Sequence, residues 1–311
     1  MLKKTRCDGT YLRGLHHYTR MTPYMMPTRT ESTIYFEQEF DVTDTLAYLK
    51  EKNGGEGELT FFQVFLCALT RTMTERPDLN RFISGFNYYQ RNEILLNFVA
   101  KKEKSDDGEE INVTIPFSPY ETLSTVPEKV RSHIERGKSE AGNESEDTNI
   151  LLMKLPRPFI RLFLKGYALL DFYNLAPESL IRVDPMYSSV FITNVGSIGI
   201  DAPFHHNFER GNCGIFIALG MIRKKRYIED DGTVGERDVV KVTFTYDDRI
   251  KDGVYCARAI ELFRNYVENP RQLEAEPDLS EEQLARLMLK DYPPSLAKKK
   301  QYESEPVPQS V

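Results

Sequence analysis

Cysteine is scarce in this chain and never paired. Cys7, Cys67, Cys213 and Cys256 lie far apart, with no Cys-x-x-Cys spacing. That excludes a zinc ribbon or a disulfide framework and fits a reducing cytosol. Long apolar runs are missing too. The longest nearly apolar stretch, Gly214 to Ile222, is far too short to cross a bilayer. Met1-Leu2-Lys3-Lys4 is basic, but no apolar segment follows it. No signal peptide and no membrane partner are therefore expected, and the predicted location is cytoplasmic. Neither sign of charge dominates. The net charge is −6 with acidic and basic residues interspersed, which offers no surface for nucleic acid. A Gly-x-Ser-x-Gly elbow and a P-loop are absent. Gly196-x-x-Gly199 lacks the leading glycine of a dinucleotide loop. His205-His206 could serve as a replacement base or as half a metal site, but only Glu209 stands at a usable spacing from them, so no metal is expected.

What is present suits a globular protein. A hydrophobic content of 40% can build a sizeable core, and 311 residues make one large domain or two small ones. Residues 33 to 42 are rich in β-formers and predict a strand. Thr43 is expected to cap a short helix ending near Gly54-Gly55. Thr60 and Gln63 form a capping-box pair before Val64, Phe65, Ala68, Leu69 and Met73 at helical spacing, with Pro77 at the exit. Residues 94 to 101 read as a strand, Ser105 to Glu110 as a solvated turn, and 121 to 140 as a polar helix. Residues 150 to 174, dense in Leu and Phe, predict one or two buried helices. Strands are expected at 188 to 194, 214 to 221 and 239 to 246. In the last, Val242, Phe244 and Tyr246 alternate with Lys241, Thr243 and Thr245, which predicts one buried face. An amphipathic helix over 254 to 268, carrying Ala257, Ile260, Leu262, Phe263 and Val267, stops at Pro270. Ser280 and Gln283 open a further helix through about Lys290. Mixed strands and helices without a strict βαβ rhythm argue for a two-layer α/β sandwich.

The most informative stretch is Tyr246-Asp247-Asp248-Arg249-Ile250-Lys251-Asp252-Gly253. It resembles the Asp-His-Arg-x-x-Asp-Gly signature of 2-oxo-acid dehydrogenase acyltransferases (dihydrolipoyl acyltransferases) and chloramphenicol acetyltransferases, with Asp248 at the His position. Arg76-Pro77-Asp78-Leu79-Asn80 and Phe191-Ile192-Thr193-Asn194-Val195-Gly196-Ser197-Ile198-Gly199 are similar to other segments of that family, in family order. The resemblance covers roughly residues 15 to 270. It implies a mixed sheet flanked by helices, of the chloramphenicol acetyltransferase type, assembled as a homotrimer with active sites between subunits. Coenzyme A would enter as a substrate, with no bound cofactor, and a small acyl donor or acceptor from the other side. Asp248 would stand where the general base belongs, and Thr193 would stabilise the oxyanion. Asn194 and Ser197 would line the substrate site. Asp252 would be structural and ion-paired, with Arg20 as its expected partner.

About 15 residues precede the resemblance. Residues 1–292 are therefore expected to form one catalytic domain, followed by a disordered tail over 293–311. No lipoyl or subunit-binding domain, and no lipoyl group, is expected. Asp248 also weakens the chemistry, because a carboxylate near 3.9 is a poor base for a thiol near 8.5. Two functions follow: a coenzyme-A-dependent acyltransferase of altered or weak activity, or an inactive trimeric scaffold or acyl/coenzyme-A-binding protein of the same fold.

Overall fold

A computed structural model describes residues 5–54, 59–101, 110–138 and 153–292. The expected turn at Ser105 to Glu110 falls mostly outside them, and the expected tail over 293–311 entirely so. The main sheet has six strands: β2 (Thr33–Asp41), β5 (Ile94–Lys101), β6 (Glu110–Phe117), β7 (Val190–Asn194), β8 (Ile215–Ile228) and β9 (Val234–Asp247). Their spatial order is β2-β9-β8-β7-β5-β6. The β5–β7 and β7–β8 pairs are parallel and the others antiparallel, so the sheet is mixed. A three-stranded sheet joins β1 (Gly9–Tyr11), β3 (Arg81–Ser84) and β4 (Asn87–Arg91).

Alternation along the strands decides where the core lies. Val240, Val242, Phe244 and Tyr246 of β9 share one face with Ile215, Ile217 and Leu219 of β8 and Val190 and Ile192 of β7. Helices α2 (Thr43–Lys52), α3 (Phe61–Glu75), α4 (Val126–Lys138) and α7 (Gly253–Glu268) pack over it. The α3 helix begins where expected: the Thr60 hydroxyl accepts from Gln63 N–H at 3.3 Å, and the Gln63 side chain accepts from Thr60 N–H at 2.9 Å. Pro77, lacking an N–H, ends it. The core face of α7 is Cys256, Ala259, Phe263, Tyr266 and Val267, so Ala257 is on the solvent side.

Other expectations are corrected. Thr43 is the first residue of α2 rather than its cap, and Asp41 Oδ1 accepts from its N–H at 3.0 Å. The helix expected over 121–140 starts only at Val126. Helix α8 (Glu281–Leu287) has its capping box but stops at Leu287, because Met288 turns left-handed at φ 52°. The hairpin β8–β9 runs far beyond the expected strands, through charged residues that face each other as Lys224↔Asp238 and Lys225↔Arg237. The Thr face of β9 is covered too. Thr243 and Thr245 are buried, and their hydroxyls donate to the carbonyls of Pro203, at 2.6 Å, and His205. The largest departure is α5 (Arg157–Phe172), in the stretch expected to be buried. Tyr167 is its one buried residue.

Candidate active site

The motif turn sits at the end of β9, held by a buried ion pair. Arg249 Nε and Nη2 donate to Asp247 Oδ1 and Oδ2, each at 2.8 Å. Such a two-pronged guanidinium–carboxylate contact fixes orientation as well as distance. Ser32 Oγ donates to Asp247 Oδ1 at 2.9 Å, and Arg29 Nε lies 3.6 Å from Oδ2. Arg249 Nη1 also donates to the Met26 carbonyl at 3.0 Å, and the Tyr88 hydroxyl donates to the Arg249 carbonyl at 2.9 Å. The turn is thereby tied to the segment before β2 and to β4.

Between the two paired residues, Asp248 points outward. Its N–H donates to the Ser32 carbonyl at 2.9 Å, but its carboxylate has no hydrogen-bond or ion-pair partner among the described residues. Partial burial, then the negative charges of Asp247 and Asp252, push the Asp248 carboxyl above its ordinary range. That direction favours a base, since a carboxylate with a higher pKa holds a proton more readily. Cys256 follows on α7, but burial, then Asp248 and Asp252, push its thiol up to about 12. It is not a thiolate at neutral pH.

Asp252 departs from expectation. It is exposed and caps α7, accepting from Tyr255 N–H at 3.0 Å. Its nearest cation is Lys251 at 3.9 Å, and the expected Arg20 pair is not formed within the subunit. The buried ion pair of the motif is Asp247–Arg249. Both residues match the signature that drew attention to Asp252, so the signal was present. Nothing in the sequence singled out Arg29 or Ser32.

Thr193 is the penultimate residue of β7, half-buried on the sheet face opposite the helices. After it, Val195–Ile198 form a 3₁₀ turn, and Gly199 is left-handed at φ 80°. Gly196 is required there: a Cβ would sit 2.3 Å from the Gly220 carbonyl oxygen. A bulge between Leu219 and Ile222 brings β8 that close. Ser197 Oγ donates to the Asn194 carbonyl at 2.8 Å, so these two expected substrate contacts bond first to each other.

Thr193 and Asp248 do not meet within one subunit. Thr193 pairs with Ala218, and Ala218 with Thr243. Asp247 lies four residues past Thr243 (247 minus 243), roughly 13 Å along the strand, and two strand spacings add about 10 Å across. The structure leaves Thr193 and the motif turn apart.

His205 and His206 lie on the loop that covers the Thr face. The His205 ring stacks on Phe216 at 3.8 Å, and burial lowers its pKa. Among the described residues no cluster of three metal-binding side chains exists. His16 caps α1 (His17–Met25), and His133 sits 2.8 Å from the Lys129 carbonyl, so both are occupied structurally.

A profile of the 2-oxoacid dehydrogenases acyltransferase (catalytic domain) family matches residues 174–275, which include β7, β8, β9 and the motif turn. The family resemblance holds. No curated protein matches the chain. Among solved structures, a probable dihydrolipoamide acetyltransferase from Listeria monocytogenes is 14% identical with a TM-score of 0.54, over 85% of this chain and 92% of that one. The cubic core of a pyruvate dehydrogenase multienzyme complex aligns at 13% identity and a TM-score of 0.56, over 82% and 88%. A chloramphenicol acetyltransferase aligns at 12% and 0.50, over 84% and 98%. The fold is thus the chloramphenicol acetyltransferase type, a mixed sheet flanked by helices, as the sequence implied. No described helix is long and apolar enough to cross a membrane.

Proposed function

We propose that the chain is a coenzyme-A-dependent acyltransferase of weak activity, with its sites formed between the subunits of a homotrimer. One observation carries the reading. The motif turn is locked by the buried Asp247–Arg249 pair, and it presents the Asp248 carboxylate outward without a partner. Of the turn's acidic side chains, this one is neither paired nor used as a cap. In the reaction, Asp248 of one subunit would take the proton of a thiol or hydroxyl. That oxygen or sulfur would attack the thioester carbonyl, and Thr193 of a neighbour would donate to the oxyanion. Collapse would break the thioester C–S bond, the leaving thiolate taking back the proton held by Asp248. The separation within a subunit supports a site completed by a neighbour. Exposed apolar side chains around Thr193's turn, Ile198 and Ile200, and the adjoining Tyr35–Phe204 pair support an assembly face there.

The same geometry supports a second reading, an inactive trimer that binds coenzyme A or an acyl compound. It is favoured by a carboxylate where imidazole belongs, since a general base typically contributes about 10²- to 10⁴-fold. Calorimetry with coenzyme A and acetyl-coenzyme A tests what both readings share. Saturable heat with either ligand supports a ligand site, and no heat with both rejects it in favour of a plain scaffold.

A further inference from the structure

Helix α5 is apolar, exposed and basic at once. Phe159, Leu162 and Leu169 are 60%, 68% and 59% exposed, and Phe163 and Leu170 stand on the same side. These residues recur at spacings of three, four and seven, which puts them in one outward stripe. Arg157, Arg161 and Lys165, four apart, form a ridge beside it, with Lys154 just before the helix. None of the four cations has an acidic partner among the described residues. The single acid of the helix, Asp171, is taken by Arg6 at 2.9 Å. That bond and buried Tyr167 anchor α5 along one edge, and Phe172 adds an edge-on contact with Phe86 at 5.3 Å.

We propose that α5 is a membrane-surface helix, laying its Phe and Leu stripe into a bilayer whose headgroups are anionic. A helix with aromatic and leucine residues on one side and Arg and Lys beside them suits the boundary between headgroups and acyl chains. Its 16 residues make about 24 Å, short of the roughly 30 Å hydrocarbon core, so it lies in the plane. Charge complementarity favours lipid over a second copy of the chain. The chain carries net charge −6, yet this helix and Lys154 gather four cations with no acidic partner among the described residues. Anionic headgroups would pair all of them while long Lys and Arg stems reach along the apolar surface.

Flotation of the full chain tests this, with vesicles of phosphatidylcholine alone and of equal parts phosphatidylcholine and phosphatidylglycerol. The chain should float with the anionic vesicles and far less with the neutral ones, and added salt should release it. Arg157→Gln with Arg161→Gln and Lys165→Gln should lower affinity about 100-fold, at roughly fivefold per cation. Phe159→Ser with Leu162→Ser and Phe163→Ser should abolish flotation. These side chains are exposed, so circular dichroism and the melting temperature should stay unchanged in both variants. No flotation of the native chain, or flotation indifferent to both variants, overturns the proposal. So does a native chain that stays in solution and whose mass by light scattering falls on the Phe and Leu substitutions. That result assigns the face to contact between copies.

Discussion

Replacing Asp247 by Ala should be among the most damaging single changes to this fold. Its side chain is 2% exposed, between Arg249 at 4% and Arg29 at 6%. Removing it leaves two guanidinium groups buried without their carboxylate, while the Ser32 hydroxyl keeps the Thr28 and Arg29 carbonyls. Loss of one member of a buried pair costs about 3–5 kcal/mol, because the other charge is left desolvated and unpaired. Arg249→Ala should cost less, about 2–3 kcal/mol, since Asp247 keeps Ser32 and a nearby Arg29 and loses mainly charged hydrogen bonds. The assay is urea unfolding followed by circular dichroism. With a denaturant slope of about 3 kcal/mol/M, a 4 kcal/mol loss moves the midpoint by about 1.3 M. An Asp247→Ala midpoint within about 0.3 M of native, or a larger loss in Arg249→Ala, would refute the view that this carboxylate centres the turn.

Further outcomes are expected elsewhere. Light scattering at micromolar concentration should report a trimer, and a stable monomer would remove the shared site. Gly196→Ala should destabilise the chain by about 1–3 kcal/mol, because its Cβ meets the Gly220 carbonyl; an unchanged urea midpoint would show that the turn can shift. His205 has a depressed folded pKa, so between its unfolded value, about 6.5, and the folded value, the unfolded chain binds more protons. Its contribution is complete above about pH 6.5 and is lost as pH falls through that range. Urea midpoints measured from pH 7.5 to 5 should decline, and His205→Phe should flatten the decline.

Much of the sheet was legible in the sequence, including Thr193 within β7 and Asp248 just after β9, for a local reason. Strand alternation, the Thr60–Gln63 box and the Asp-Gly turn are short-range signals that burial does not override. The misses arise where a partner is distant in sequence. Thr243 and Thr245 read as a solvent face because the loop that covers them, with Pro203 and His205, lies some forty residues away. Asp252 was given the ion pair because its Asp-Gly setting is local, whereas the buried pair draws on Arg29 and Ser32 from before β2. The α5 residues read as core because Leu and Phe density signals burial without saying against what. The charged half of the β8–β9 hairpin lacked apolar alternation, although paired backbone groups hold it as strand.

On the proposed reading, Asp248 occupies the base position of an acyl-transfer site that Thr193 of a neighbour completes. Thiol release from acetyl-coenzyme A by Asp248→His, compared with the native chain, measures it most directly. Weak release by the native chain and a measurable rise in the variant are expected. That rise should fall again by about 10²- to 10³-fold when Thr193→Val removes the oxyanion hydroxyl. No gain in Asp248→His, with folding and assembly intact, would contradict the account and leave the non-catalytic reading.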